Sequence, residues 1–225
     1  MLQPQASSRF ELLQERSFVL FLIAKILITL AAEMVIVSVG MQVYELTRDV
    51  LALGLVGLAQ FLPFVILVLP AGQVADRNER SRIIALCFAI QAVASAALLI
   101  LTLNGVEQVG WIYAILILLG CARAFMMPAS QAVLINLVSA PRFSQAVALH
   151  SSCFHITVII GPVIGGFVYL GGPQAVYATT TALYVCAMIL MAFVKSGRAH
   201  VSAAPETRGL AAVFEGLHFV FTRPV

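Results

Sequence analysis

From Phe143 to Val194 the chain runs for 52 residues without an Asp, Glu, Lys or Arg. Few soluble folds could bury such a stretch, but a bilayer accommodates it readily. A helix crossing the hydrocarbon core takes about 20 apolar residues, so the stretch holds two crossings. Gly171-Gly172-Pro173 supplies the turn between them. Two shorter uncharged stretches, 26 residues between Asp49 and Asp76 and 24 between Arg82 and Glu107, give one crossing each. The first crossing spans Phe18 to about Tyr44 and is interrupted by Lys25 and Glu33. The fourth spans Val109 to about Val138 and carries Arg123. The expectation is an all-α integral membrane protein with six transmembrane helices.

Composition supports this. Of 225 residues, 61% are hydrophobic and 10% charged, where soluble domains hold about 45–50% and 25%. That balance excludes a secreted disulfide scaffold, a disordered chain and a nucleic-acid binder. Helices are the expected spanning form, because lipid-exposed backbone must satisfy its own hydrogen bonds. A barrel would instead show alternating segments of about ten residues.

The organisation follows from the charges. Residues 1–16 form a polar N-terminal segment of mixed charge, unlike a signal peptide, and residues 17–195 form the bundle. Residues 196–225 read as a linker with an amphipathic helix, its apolar face made by Leu210, Val213, Phe214, Leu217 and Phe221. With the N-terminus inside, ten Lys/Arg (Arg9, Arg16, Arg77, Arg80, Arg82, Arg142, Lys195, Arg198, Arg208, Arg223) fall on the cytoplasmic side and only Arg48 falls outside. The positive-inside rule therefore places both termini in the cytoplasm. The four cysteines, Cys87, Cys121, Cys153 and Cys186, lie in apolar runs without metal-type spacing and read as buried free thiols. His150 and His155 are five residues apart, which separates them on a helix, so no metal site is expected. No Ser/His/Asp or His/Glu cluster recurs at usable spacing, so the chain reads as a non-enzyme without a cofactor.

Charges inside a membrane are costly and usually functional. Glu33 lies mid-span and reads as a protonatable group facing a cavity. Arg123, permanently cationic, needs a carboxylate, backbone carbonyls or water: Glu33 is the one acid inside the spans, so a direct or water-mediated pairing is one reading, and a tie from Arg123 to carbonyls of a neighbouring helix is the other. Lys25, nearer the end of its span, is expected to snorkel to the headgroups. Gln60, Gln91, Asn104 and Gln131 are polar residues that a cavity would use, with no sequence signal to choose among them. Two local patterns stand out. In the loop between spans 2 and 3, Gly72 precedes Asp76-Arg77 and Arg80: the glycine permits close helix approach, and the acid can accept from an Arg or a helix N-terminus. In span 5, Gly161-Pro162-Val163-Ile164-Gly165-Gly166 places small residues around a proline, the pattern of backbone-close helix packing.

These motifs resemble the major facilitator superfamily. The Gly72, Asp76, Arg77, Arg80 loop is similar to its signature loop, and Gly161, Pro162, Gly165 and Gly166 to the motif of its export-type members. Tyr44 to Thr47, Leu51 to Pro63, Ala122 to Phe125 with Pro128-Ala129, and the terminal Glu215-Gly216-Leu217 to Arg223-Pro224 resemble the enterobactin-exporter and macrolide-efflux branch. The pattern departs in two places. No Gln follows Arg123 within Ala124 to Met127, and Thr157 stands where a glycine precedes Gly161. The resemblance implies one half of a twelve-helix secondary transporter, built as two inverted three-helix repeats, with spans 1 and 4 lining the cavity and the Asp76 loop acting as a cytoplasmic gate. It implies proton-coupled export of an amphipathic small molecule, such as a siderophore or drug, across a bacterial inner membrane. The partner would be a second six-helix half, in the same longer chain or in a homodimer. The alternative is a truncated, non-transporting membrane protein.

Overall fold

A computed structural model of the chain describes residues 15–105 and 108–194; the side chains of Asp76 and Arg77 fall outside the description. Six long helices make up nearly all of it: α1 (Arg16–Thr47), α2 (Val50–Arg77), α3 (Arg80–Leu103), α4 (Val109–Leu137), α5 (Phe143–Tyr169) and α6 (Pro173–Ala192), with one 3₁₀ turn at Ala140–Arg142. All six are long and apolar enough to cross a membrane. The described residues contain no strand. Each uncharged stretch in the sequence became one helix, and the longest became two. The predicted amphipathic helix at residues 210–221 lies outside the described residues.

The connections are short, and local chemistry explains them. Arg48 ends α1 in the left-handed conformation (φ 53°), its N–H donating to the Tyr44 carbonyl at 2.8 Å. Asp49 then caps α2 by accepting from the Leu51 N–H at 2.9 Å. Gly172 takes φ 86° between α5 and α6, a value that costs glycine little. Pro173 follows at the first turn of α6, where its missing N–H has no helical partner to lose.

Helices pack in the order α2, α4, α3, α6, α1, α5, each mainly against the next. Exchanging α1 with α4, α2 with α5 and α3 with α6 reproduces the same neighbour list. Three helices cross the bundle an odd number of times, so the second triplet starts from the opposite end. This is the architecture of two inverted three-helix repeats, and α1 and α4 are equivalent within it.

The core belongs to α1, α3, α4 and α6: Phe18, Phe21, Ile28, Phe88, Leu98, Leu116, Tyr177 and Tyr184 are fully buried. α2 and α5 are covered on one side only. Phe61 and Ile66 on α2 remain 62% exposed, and Ile159 and Phe167 on α5 71% and 70%. The cysteines divide in the same way, which corrects the expectation that all four are buried. Cys87 is buried, Cys121 and Cys153 are partly covered, and Cys186 is exposed on the outer face of α6.

Because lipid tails are as apolar as leucine, hydrogen bonds and close packing must hold these helices together. Tyr177 on α6 donates to Gln42 Oε1 on α1 at 2.7 Å, and Gln42 Nε2 donates to Thr102 Oγ1 on α3 at 3.1 Å. A second cluster joins Ser95 on α3 to Thr180 (2.8 Å) and Thr181 (3.1 Å) on α6. At the two ends of α1, Arg142 pairs with Glu15 at 3.3 Å and the Tyr169 hydroxyl donates to Glu45 at 3.0 Å, fastening α1 to the α5 region twice. Replacing Tyr177 by Phe leaves the Gln42 carbonyl without its buried donor. We expect a loss of about 0.5–1.5 kcal/mol, read as a lower midpoint of unfolding in detergent, with no loss for Thr179→Val on the exposed side of α6.

Candidate functional site

Glu33 is the eighteenth residue of the 32-residue α1, and Arg123 the fifteenth of the 29-residue α4. Both therefore sit at the middle of helices that the repeat makes equivalent. Arg123 opens onto a cleft with a cavity of about 20 Å³, room for a water molecule. Five helices contribute to it: Val35 from α1, Gln60 from α2, Gln91 from α3, Leu119 with Arg123 from α4 and Tyr184 from α6. Among the four polar residues left unranked by sequence, Gln60 and Gln91 line this cleft. Asn104 instead ends α3, and Gln131 is exposed.

Glu33 does not line the cleft. Its stem rests on α5, and the reason is glycine. A Cβ built on Gly161 would lie 2.6 Å from Glu33 Cβ, and one on Gly165 would lie 3.0 Å from Met34 Cα. These two glycines of the span-5 pattern form the notch that seats the middle of α1. Gly166 meets nothing within 4 Å, and Pro162 lies inside the helix between the two packing glycines. The repeat-related contact uses the same device in reverse. Gly120 on α4 lies against the Gln60 carbonyl and Pro63 of α2, too close for a Cβ.

From this seat the Glu33 charge is within electrostatic reach of Arg123 and of Tyr184. The described residues contain no direct Glu33–Arg123 ion pair. The acid and the guanidinium both sit at the middle of their helices and form no ion pair with one another.

Lys25 departs from the sequence expectation. It does not extend to the headgroups but turns inward, donating to Ser130 Oγ on α4 at 3.4 Å. The cause is crowding: Phe21, one turn earlier, stacks on His150 of α5 at 6.0 Å between ring centroids, and Phe154 closes the same side. Lys25, Thr29, His150 and Cys153 thus share a narrow cleft of about 10 Å³ between α1 and α5. Ser130 and Tyr184 were not visible as site residues in the sequence. Ser130 lies 105 positions from Lys25, and no local pattern marks either one.

The loop residues lie at one end of the bundle. Asp76 and Arg77 end α2, and Arg80 begins α3. Arg82 pairs with Glu79 at 2.6 Å, and Asn78 folds back to the Val74 carbonyl at 2.9 Å. A Cβ on Gly72 meets nothing within 4 Å, so among the described residues no helix uses the approach that the glycine permits. No three His, Cys, Asp or Glu side chains converge as a metal site among the described residues.

A paired-repeat, six-helix membrane bundle with charged residues at mid-depth on equivalent helices is the architecture of a secondary transporter half. A family profile described as transmembrane secretion effector matches residues 7–224, and the chain belongs to this family of major facilitator transporters. It is 25% identical over 220 residues to the uncharacterized MFS-type transporter YfiS of Bacillus subtilis (strain 168), a match covering 92% of this chain and 52% of that protein. It is 29% identical over 136 residues to the staphyloferrin A transporter of Staphylococcus aureus (strain NCTC 8325 / PS 47), covering 58% of this chain and 34% of the relative. The chain spans about half the length of YfiS.

Proposed function

We propose that this bundle is the first half of a proton-coupled exporter of amphipathic small molecules, working by alternating access, with Glu33 as the proton-carrying group and Arg123 as its cavity partner. The observation that carries this reading is the unclosed Glu33–Arg123 pair at the middle of the equivalent helices α1 and α4. A permanently closed pair would be structural glue. A pair held within reach but apart leaves the carboxylate able to gain or lose a proton while the arginine changes partner. The relative named for staphyloferrin A supports a small-molecule cargo of siderophore type. The one-sided coverage of α2 and α5 supports a second six-helix half docked along them, in the same longer chain or as a second copy. Lys and Arg gathered at the end formed by Arg16, Arg77, Arg80, Arg82 and Arg142 support placing that end, and both termini, in the cytoplasm of a bacterial inner-membrane protein.

In this reading Asp76, Arg77 and Arg80 form a cytoplasmic gate, and Gly72 leaves space for the opposing half. The first test is accumulation. Cells making the protein and challenged with a panel of siderophores, macrolides and amphipathic dyes should retain less of at least one compound than cells without it. Equal retention across the panel, with the protein shown to be in the membrane, contradicts export. Asp76→Asn keeps size and removes charge. It should slow turnover of the exported compound by about tenfold or more, the effect of losing a charged hydrogen bond, while binding is retained. Unimpaired turnover removes Asp76 from the gate.

A further inference from the structure

Four polar side chains line the one cleft at mid-bundle: Gln60 from α2, Gln91 from α3, Arg123 from α4 and Tyr184 from α6. Two of them are deeply buried, Tyr184 at 1% exposure and Gln91 at 4%. A buried polar group as a rule has a hydrogen-bond partner, because leaving it without one is strongly unfavourable. Among the described residues none hydrogen-bonds to the Tyr184 hydroxyl, the Gln60 amide or the Arg123 guanidinium. Gln91 uses its Nε2 group on the Cys87 carbonyl at 3.3 Å and Met126 Sδ at 3.7 Å, which leaves Oε1 as its free acceptor.

Backbone packing brings these groups together. Gly120, three residues before Arg123, lies against the Gln60 carbonyl and Pro63, closer than a Cβ would allow, and so holds Gln60 at the level of the guanidinium. The space between the four side chains is about 20 Å³. A bound water needs about 10–15 Å³ and two to four polar partners, so the space admits one water and no organic group. The walls match water in chemistry as well as in size. Arg123 and Tyr184 can donate, and the amide oxygens of Gln60 and Gln91 can accept; a water molecule accepts twice and donates twice. Ala32, Val35 and Leu119 close the remaining sides with hydrocarbon.

We propose that this cleft binds one water molecule, which accepts from Arg123 and Tyr184 and donates to Gln60 and Gln91. The water ties α2, α3, α4 and α6 at mid-depth, in bonds nearly as favourable as direct ones. Its consequence for transport rests on the exporter reading: the water is what Arg123 holds while Glu33 is unpaired. The guanidinium then needs no acid to remain in the membrane interior, and Glu33 is left to exchange its proton.

The test is X-ray radiolytic footprinting of the purified protein in phosphatidylcholine nanodiscs, read by mass spectrometry. Hydroxyl radicals formed from a bound water add oxygen to the nearest aromatic ring. Tyr184 should be labelled, and Tyr177, which is fully buried and donates to Gln42 instead, should not. When the sample meets oxygen-18 water just before the pulse, exposed Tyr44 should carry oxygen-18 at once. Tyr184 should still carry oxygen-16 in the first milliseconds. Arg123→Met should shorten that residence about tenfold, the scale of a charged hydrogen bond. Gln91→Leu should shorten it about fivefold, the scale of a neutral one. Gln131→Leu, at an exposed position of α4, should leave it unchanged. An unlabelled Tyr184 beside a labelled Tyr44 means a dry cleft and overturns the proposal. Oxygen-18 on Tyr184 as early as on Tyr44 overturns it in favour of bulk solvent. Equal labelling of Tyr177 overturns it in favour of general water entry, and unchanged residence in both cleft variants overturns the assignment of its partners. The parent protein alone gives the first three readings, so they do not depend on any variant folding. No cargo or gradient is used: a dry cleft leaves the exporter reading standing, and a failure of export leaves the water site standing.

Discussion

Alanine at Gly161 is expected to abolish transport and lower the yield of folded protein, although it adds a single methyl group. That methyl would sit 2.6 Å from Glu33 Cβ, well inside van der Waals contact, with helix backbone behind it on both sides. Neither helix can yield locally. α1 is held at one end by Glu15–Arg142 and at the other by Glu45–Tyr169, so the whole α1–α5 contact must move apart. Overpacking of this kind costs about 1–3 kcal/mol, and here it also displaces the residue on which proton coupling is proposed to depend. Gly165→Ala, at 3.0 Å from Met34 Cα, should be milder. Gly166→Ala should be close to neutral, because its new methyl meets nothing within 4 Å. Monodispersity by fluorescence-detected size exclusion, with transport measured on the same preparations, ranks the three. Equal tolerance at Gly161 and Gly166 would remove the notch from the explanation.

The span-5 pattern also marks how far sequence reasoning reached. Uncharged run lengths located four of the six helices, and apolar runs interrupted by Lys25, Glu33 and Arg123 located the other two, all within a few residues, since the energetic demand for apolar length is local and strong. Small residues around Pro162 predicted close packing, but three glycines of identical chemistry could not be ranked without knowing which face meets α1. Lys25 shows the limit more sharply. Snorkelling is the rule for a lysine near a span end, and here Phe21 stacked on His150 and Phe154 beside it leave the inward path to Ser130. That arrangement depends on contacts more than a hundred positions apart. The mid-span charges were legible because charge in a membrane is rare. Their unclosed geometry was not, because it depends on how α1 is seated on α5.

Glu33→Gln is the second change with a large expected effect, and it preserves shape while removing the proton site. A glutamine keeps the stem on Gly161 and can still hydrogen-bond, so folding and the α1–α5 contact should survive. What it cannot do is exchange a proton. An ionised carboxylate at mid-membrane costs about 2.5–3.5 kcal/mol on insertion scales, so neutralising it should not destabilise the bundle. Coupling alone should be lost. Two activities of one transporter therefore separate: movement driven by a pH gradient, and exchange of labelled for unlabelled compound with no gradient.

The deciding measurement is made in everted membrane vesicles containing either the parent protein or Glu33→Gln, using the compound that the accumulation panel identifies. The parent should concentrate it when the vesicle interior is made acidic, and Glu33→Gln should fall to the level of vesicles lacking the protein while still exchanging at equilibrium. Gradient-driven accumulation by Glu33→Gln at the parent rate would contradict a proton-coupling role for Glu33.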